Sequence, residues 1–477
     1  MRAFNFILVV CIIPFVVKGQ HYSATYGSSY IGSLNVHNNP ASIVNTPFRW
    51  DVTLLGIQDK HTTNAIEVHN YSFVSNPAHS EYLIANGRFK RYGDLNLNLN
   101  LFNTRIGLDK KNAIAFGANL RSAATLKTSN YNFVDTLGRF GDFFIQNEGS
   151  GIMSLDMSTS SWAELYGSYA RTILDNEYRR LNAGITLKLN RGLSGAFARL
   201  ANGNFTKNAG APGYTVTSAD LDFGYSSNFD RWNSDRKFGI NSKDFFSFTE
   251  SGGSIDIGLE YLVKLQSTTS IDEDNWFDYD WKFGIAVVDI GYAQYHFGKY
   301  STRARNVRPG VTDLLMDASL DSTIKNLGVL RDSLTHIFTT VGTYGGKFRI
   351  AHPTRLTVNV DKFINDAFYI NADLSLNLTS LGKNNARYVK DLSLITFTPR
   401  WETRKKGIYL PVYFNSRNQL WIGGAVRLGP VLFGLHNWAN LFSKKKMHRG
   451  GGYLAITVRP SQITGDRVDK RLNCPTF

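Results

Sequence analysis

The most constraining feature of this sequence is a strict alternation of apolar and polar residues along runs of about ten residues. In the run 95–101, four leucines alternate with three asparagines. Successive side chains of a β-strand point to opposite faces, so each run predicts a strand with one apolar and one polar face. Comparable runs cover residues 181–189, 254–263, 368–378 and 407–414.

The length of these runs separates a membrane barrel from a soluble sandwich. Ordinary strands average about five or six residues, whereas a tilted strand needs roughly 9–11 residues to cross a bilayer. Only every second residue of such a strand meets lipid, which fits a mean hydropathy of −0.22 and excludes a bundle of apolar helices. We predict an all-β, transmembrane, antiparallel up-and-down barrel of about 14 strands, between Phe48 and Arg459.

The N-terminus predicts a signal peptide over residues 1–19. Arg2 precedes an apolar run from Phe6 to Val17, and cleavage is expected near Gly19. That run is too short for a spanning helix, and a buried N-terminal strand is the alternative interpretation. Cleavage would export the chain to the outer membrane and leave Cys474 as its only cysteine, which excludes an internal disulfide.

Three further segments depart from the strand pattern. Residues 20–47, rich in Ser, Asn and Gly, are expected to plug or line a barrel formed by residues 48–460. Residues 312–338 carry apolar residues at helical spacing and predict one helical loop that begins near Thr312. This loop either caps the mouth or folds inward, and a plain surface excursion with no ligand role is the alternative. Residues 461–477 form a polar C-terminal tail.

Aromatic residues near strand ends suggest the interfacial girdles of membrane barrels, with ordinary core positions as the alternative. These residues are Trp50, Tyr92, Trp162, Trp276, Trp281, Trp401 and Trp421. Pro411 interrupts one alternating run and predicts a bulge or a strand end, because proline cannot donate a ladder hydrogen bond.

The search for chemistry gives no site. The net charge is +15, but basic residues are scattered, and the short runs 404–406 and 444–446 fit loops, so no nucleic-acid partner is predicted. Phosphate-binding, dinucleotide and hydrolase motifs are absent, and the ten histidines lack metal-ligand spacing. The acidic cluster 272–274 fits a solvated loop better than a calcium site. We predict no catalytic residue, no metal and no cofactor.

Several short motifs resemble one superfamily of outer-membrane barrels. Asn39-Pro40-Ala41 resembles the N-terminal element shared by FadL-type fatty-acid transporters and PorV-like barrels of the type IX secretion system. Recurring strands of that superfamily are similar to the segments 187–192 with 195–198, 255–261, 283–291 with its Asp289-Ile290-Gly291, 398–402 and 429–430. The chain is most similar to an uncharacterised group of such barrels. The resemblance implies about 14 strands and an N-terminal plug that contains Asn39, Pro40 and Ala41.

The resemblance does not fix the function, because transporters and secretion scaffolds share this architecture. The leading hypothesis is binding or passive transport of a small hydrophobic molecule, with an apolar pocket inside a plugged lumen. A non-transporting scaffold or partner subunit of a surface or secretion complex is the first alternative, and it predicts a filled lumen and a protein-binding loop surface. An outer-membrane enzyme is the second, and it requires convergent polar residues at the rim. Outer-membrane lipid is an expected partner in each case.

Overall fold

The computed structural model describes residues 22–70, 79–135, 138–232, 236, 238–247, 249–265, 279–321, 324–379, 387–439 and 449–460. The predicted signal peptide 1–19 and the tail 461–477 lie outside the described residues. The acidic cluster 272–274, Trp276 and the basic run 444–446 also lie outside them.

The described strands form one large antiparallel sheet and a separate hairpin of β2 and β3. In chain order they are β1 Trp50–Thr63, β2 Ile66–His69, β3 Glu81–Ile84, β4 Gly87–Gly107, β5 Asn112–Phe133, β6 Met153–Asp175, β7 Arg179–Lys207, β8 Tyr214–Tyr225, β9 Glu250–Val263, β10 Trp281–His296, β11 Thr302–Val307, β12 Phe338–Thr343, β13 Lys347–Ala351, β14 Arg355–Asn365, β15 Phe368–Asn377, β16 Leu394–Glu402, β17 Lys406–Tyr409, β18 Val412–Asn415, β19 Leu420–Ile422, β20 Gly424–Leu428, β21 Val431–Leu435, β22 Arg449–Gly450 and β23 Gly452–Val458.

The large sheet closes on itself because β1 pairs with β4 on one side and with β23 on the other. Around the ring, β17 with β18, β19 with β20 and β22 with β23 each act as one interrupted strand. The circuit β1, β4 to β7, β9, β10, β14 to β16 and these three pairs with β21 gives a closed barrel of 14 strands. The predicted fold class is confirmed.

The two ends of the barrel differ. Short turns join β4 to β5, β6 to β7, β14 to β15 and β20 to β21 at the end that also holds the start of β1 and the end of β23. Strands β4 to β7 have 21, 22, 23 and 29 residues, roughly twice the 9–11 that span a bilayer. Their excess length projects from the opposite end, which carries the long loops and is therefore the extracellular end.

Helices occupy the N-terminal segment and the extracellular loops. The short 3-10 helices are η1 Ser23–Thr25, η2 Gly32–His37, η3 Pro40–Val44 and η4 Ser227–Arg231, and the α-helices are α1 Phe140–Gln146, α2 Phe238–Ser247, α3 Asp313–Ser319 and α4 Leu327–Ile337. None of the described helices is long and apolar enough to span a membrane.

The predicted helical loop is present but divided. Thr312 caps α3, as its side chain accepts a hydrogen bond from the Leu315 N–H, and a second helix, α4, begins after Asn326. Helices α1 and α2, in the β5–β6 and β8–β9 connections, were not predicted.

The two faces of the wall follow the alternation in the sequence. On β7, Leu187 and Leu189 are 62% and 74% exposed, whereas Lys188 and Asn190 between and beyond them are 3% and 1% exposed. The apolar face therefore points to lipid and the polar face points into the lumen, which is the arrangement of an outer-membrane-type barrel.

The prediction of an interfacial girdle position is wrong for two aromatic residues. Trp162 and Trp421 are only 1% exposed and lie among interior side chains. Trp162 shares its strand face with Glu164 and Tyr166, which also point inward, so the phase of the alternation places it in the lumen. Trp50 and Trp281 are partly exposed at the end with the short turns, which suits a girdle. At Pro411 the strand breaks between β17 and β18.

We predict that Leu187→Arg destabilises the barrel in a lipid bilayer by about 2–4 kcal/mol, because it buries a charge in hydrocarbon. Denaturant unfolding in phospholipid vesicles measures the loss. Leu314→Arg is the matched control, since Leu314 is 70% exposed in α3 at the extracellular end. Equal losses for the two variants would show that Leu187 does not face lipid.

Candidate functional site in the lumen

The N-terminal segment, residues 22–47, lies inside the barrel. Almost all of its residues are buried, although its helices η1 to η3 are short. Helix η2 contacts β1 and β4, and η3 contacts β5, β6, β7 and β9. The segment therefore crosses the lumen and touches opposite sides of the wall.

The Asn39-Pro40-Ala41 element begins η3. The Asn39 side chain accepts a hydrogen bond from the Ala41 N–H at 3.0 Å, and its Nδ2 donates to the Leu259 carbonyl of β9 at 2.9 Å. The Asn39 amide thus acts as the N-cap of η3 and also binds η3 to strand β9 of the wall.

Glycines in the wall make this approach possible. Gly184 and Gly258 are direct partners in the β7–β9 ladder. A Cβ on Gly184 would collide with the Pro40 and Ala41 backbone, and one on Gly258 would collide with the Asn39 amide. The two glycines form a smooth seat on which the motif rests.

Cationic side chains of the wall hold carbonyl groups of the segment. Arg105 donates from Nε to the Ile43 carbonyl and from Nη1 to the Phe48 carbonyl, both at 2.6 Å. Arg355 donates from Nη2 to the His37 carbonyl at 3.0 Å. These bonds satisfy backbone acceptors that irregular structure would otherwise leave buried without partners.

A second anchor lies nearer the end with the short turns. The Gly27 carbonyl accepts hydrogen bonds from Lys282 Nζ and from Arg400 Nη2. Gly27 has a φ of +79°, and the neighbouring Ser28 donates to Glu402 Oε1 at 2.5 Å. Arg400 also forms a bidentate pair with Asp361, so this anchor is part of a buried ionic network.

A central ion cluster fills the lumen between the N-terminal segment and the extracellular half. It consists of Arg121, Glu164, Lys188, Asp256 and Asp289, all at most 5% exposed. Arg121 binds both oxygens of Asp289, at 2.6 and 2.8 Å, and Lys188 bridges Asp289 and Asp256, at 2.7 Å to each.

Asp289 is the residue on which this cluster converges. It lies in a bulge of β10, with a φ of +61°, where the pairing with β9 shifts between Val287 and Ile290. From the sequence, Asp289 was identified only as part of the Asp289-Ile290-Gly291 motif, and its role was not predicted. The signal that could have found it is the break in alternation at Val287-Val288, which marks a bulge.

An outer aromatic cluster fills the lumen above the ions. Trp162, Phe197, Tyr295 and Phe348 are buried together, and Phe297 and Tyr344 pack against them. The Trp162 ring lies 5.0 Å from the Arg121 guanidinium and 4.2 Å from the His352 ring, which joins the two layers.

The N-terminal segment, the central ion cluster and the outer aromatic cluster bury the described polar face of the wall and shield it from solvent. Side chains that a water-filled channel would expose are buried. They include Asn98, Asn100, Asn119, Ser160, Asn182, Thr186, Thr396 and Thr398. Among the described residues, no group of three or more His, Cys, Asp or Glu side chains could hold a metal ion.

The extracellular extension has a core of its own. Ala304, Val311, Leu334, Ile337 and Phe338 are buried where α4 packs on β11 and β12. Helix α1 is joined to α3 by a hydrogen bond of 2.8 Å from the Phe140 N–H to Asp317. Nearby, a hydrogen bond from the Tyr214 hydroxyl lowers the pKa of Glu148. The wall thus ends in an ordered cap.

The fold and the filled lumen define a transmembrane β-barrel of the outer-membrane type with a plugged interior. The model of a family of unknown function, DUF5723, matches residues 40–436, and the chain belongs to that family. The predicted membership of an uncharacterised barrel group is confirmed. No curated protein sequence matches the chain.

The solved structures that resemble this chain are distant from it in sequence. The toluene transporter TbuX of Ralstonia pickettii is 13% identical, with 90% of this chain and 94% of that chain covered and a TM-score of 0.41. A FadL homologue of Pseudomonas aeruginosa is 10% identical, with 93% and 98% covered and a TM-score of 0.44. The P. putida toluene transporter TodX is 11% identical, with 90% and 95% covered and a TM-score of 0.37.

We predict that Gly258→Ala dislodges the N-terminal segment, because the new Cβ occupies the space of the Asn39 amide. Overpacking of this kind costs about 1–3 kcal/mol. Limited proteolysis should then cut within residues 22–47, which are protected in the parent protein. Gly253→Ala in the same strand is the control, since its Cβ would meet only a carbonyl oxygen at 3.4 Å. If residues 22–47 remain protected from proteolysis in Gly258→Ala, the Asn39-Pro40-Ala41 element does not depend on the seat formed by Gly184 and Gly258.

We predict that Asp289→Asn destabilises the barrel by about 3–5 kcal/mol, because Arg121 and Lys188 lose the carboxylate between them while they stay buried. Equilibrium unfolding in detergent micelles measures the loss. Glu148→Gln is the control, because the Lys207–Glu148 pair is 70% and 49% exposed and should contribute less than about 1 kcal/mol. Similar losses in both variants would argue against a central cluster of this importance.

Proposed function

We propose that this chain is an outer-membrane barrel with a sealed lumen that acts as a non-transporting scaffold or partner subunit at the cell surface. One observation carries the proposal: the described polar face of the wall is buried along the lumen instead of lining a channel. A porin of this size would leave those side chains in water.

The seal has three layers that support one another. The N-terminal segment is bonded to several strands, including Arg105 of β4 and Arg355 of β14. The central ion cluster lies directly above it, and the outer aromatic cluster lies above the ions. A solute would have to displace all three layers in turn.

The extracellular cap supplies a surface for a protein partner. Leu314 in α3 and Ile145 in α1 are 70% and 59% exposed on neighbouring helices that are held together by the bond from Phe140 to Asp317. Exposed apolar side chains on an ordered support are typical of protein-binding surfaces. A protein that binds this cap is the kind of partner that the proposal requires.

We predict that the parent protein gives no stepwise conductance in planar bilayers, because its lumen is filled. Removal of residues 22–47 should open at most a partial path, since the ions and aromatic rings remain. A heat-modifiability gel shift checks that the deleted protein is folded. Steady ion conductance by the parent protein would overturn the seal.

The scaffold role needs a second measurement. Affinity purification from cross-linked cells should return a partner in stoichiometric amount, and Ile145→Asp with Leu314→Asp should release it. Leu187→Ser, which changes a lipid-facing residue, is the control and should retain the partner. Failure to recover any stoichiometric partner would count against a scaffold.

Binding or passive transport of a small hydrophobic molecule is the second candidate. The outer aromatic cluster favours it, because six aromatic rings inside a polar lumen offer an apolar environment to such a ligand. Phe197→Ala with Phe348→Ala should then change the affinity for a hydrophobic probe such as toluene, measured by thermal stabilisation. Absence of any stabilisation of the parent protein by hydrophobic ligands would remove this candidate.

Two further expectations accompany the proposal. Export with cleavage near Gly19 would deliver the chain to the outer membrane, and N-terminal sequencing of the purified protein tests that site. An enzymatic role has little support from the central ion cluster, because that cluster lies buried in the lumen and away from the rim.

A further inference from the structure

A row of polar side chains crosses the outer face of the barrel just above the lipid-facing residues. Arg191 of β7 pairs with Ser251 of β9, and Gln294 of β10 pairs with Arg349 of β13. Gly253 pairs with Tyr292, so Ser251 and Gln294 are each two residues further toward the extracellular end. These four residues, here called the boundary row, lie side by side on adjacent strands.

Contacts within the row hold its two arginines in place. Arg191 Nη1 donates to Ser251 Oγ at 3.2 Å, and Arg349 Nε donates to Gln294 Oε1 at 2.9 Å. The Arg349 guanidinium also lies 4.4 Å from the centre of the Tyr292 ring. Both arginines are exposed, and a guanidinium has five N–H donors, so each can still bind an external acceptor.

Charge near the row is predominantly positive. Lys347, the next outward residue of β13, is 48% exposed and pairs with Glu250 at 2.9 Å. His296 contacts the same carboxylate at 2.5 Å. Arg191, Arg349 and Lys347 are three cations beside one acid, Glu250, so these groups carry a net charge of at least +2 whatever the state of His296.

The row marks the outer edge of the apolar band. Below Arg191 on the same strand face lie Leu189 and Leu187, and below Gln294 lie Tyr292 and Ile290. The outward-facing residues of a strand thus change from apolar to polar or charged between one outward position and the next, two residues along the chain. Lipid headgroups meet a barrel at this height.

A helical excursion leaves the wall beside the same row. Between β8 and β9 the chain forms η4 and α2, and α2 ends just before Glu250. Trp232, Ile240 and Phe246 are 41%, 52% and 48% exposed, while Phe245 is buried against Phe229 and Trp232. Exposed aromatic and aliphatic side chains next to a charged row are what a helix at a lipid surface presents.

We propose that the boundary row and α2 form a binding site for the phosphate-bearing headgroup of an outer-leaflet lipid. Arg191 and Arg349 grip phosphate oxygens with their planar guanidinium groups, which match phosphate geometry. Trp232, Ile240 and Phe246 insert beside the acyl chains. From β7 to β13 the row spans three strand spacings, roughly 14 Å, which suits a single large headgroup with more than one phosphate.

The site is local to this part of the wall. On the neighbouring strand β6, the residue that pairs with Arg191 is Ala163, and its own partner on β5 is Leu120. Neither side chain can bind a phosphate. The row therefore ends at β7 on the side of the wall that β6 and β5 form.

Native mass spectrometry of the purified full-length protein tests the site with bisphosphorylated lipid A as the probe. Dephosphorylated lipid A and inorganic phosphate form the comparison arms. We expect retention of the bisphosphorylated lipid alone. Arg191→Gln with Arg349→Gln should weaken its binding about 25-fold, since each cation near an anionic headgroup contributes about fivefold.

Two variants guard against an indirect effect. Lys207→Gln with Arg303→Gln removes two exposed cations, 70% and 57% exposed, at other places on the extracellular extension and should leave binding unchanged. Arg191→Lys with Arg349→Lys should restore part of the affinity, because the charge remains. A gel shift on heating confirms that each variant is folded.

Outcomes of three kinds would overturn the proposal. Equal binding of the parent and the Gln variant would show that the row does not hold the lipid. Equal binding of dephosphorylated lipid A would show that phosphate is not recognised. Competition by inorganic phosphate at equal affinity, with no contribution from the acyl chains, would replace the lipid site with a site for free anions.

Discussion

The structure depends on the need to satisfy every backbone N–H and C=O within a bilayer that supplies no water. The chain meets this need by pairing β1 with both β4 and β23, so that the ladder has no open edge. One side of the wall, leading to β23, is made of short, interrupted strands, since β17 to β22 have between two and five residues each. The long strands β4 to β7 form the other side of the wall and support the cap.

Closure creates a second problem inside the ring. The alternation that turns apolar side chains toward lipid also turns polar side chains toward the lumen. If water is excluded from the lumen, these polar side chains need hydrogen-bond or ionic partners in the protein. Residues 22–47 meet part of the need by bringing irregular backbone into reach of Arg105 and Arg355. Charged residues of the wall meet the rest through pairing with one another, as Arg121 does with Asp289. The glycine seat at Gly258 is what lets the two parts come close enough.

Much of the architecture could be predicted from the sequence because period-two alternation is a local property. It placed the first strand near Phe48 and the last near Arg459, and the structure has them from Trp50 to Val458. The prediction for Trp162 was wrong, because it placed this residue near a strand end, whereas Trp162 lies in the middle of β6 and its phase points it inward. Its in-phase neighbour Glu164 was available in the sequence and would have corrected the assignment.

The contents of the lumen could not be predicted in the same way, because they join residues that are far apart in sequence. Asn39 meets the carbonyl of Leu259, and Lys188 meets Asp289, through registers that no local pattern encodes. A resemblance drew attention to the Asn39 motif and to Asp289 without giving a reason for either residue. The structure supplies a physical reason in each case: a helix cap that rests on glycine, and a bulge that turns a carboxylate toward two cations.

These buried contacts bear on where function can lie. Opening a path would uncover Arg121, Lys188 and three carboxylates in a narrow space, and a solute without charge could not replace the bonds they lose. A hydrophobic ligand that reached the outer aromatic cluster would therefore stop at the ions, unless it left again by the same side. Binding at a surface outside the lumen breaks none of these buried hydrogen bonds and ion pairs. The two surfaces proposed to bind partners, the cap of α1 and α3 and the boundary row of Arg191 and Arg349, lie outside the lumen, so binding at either would not require the lumen to open.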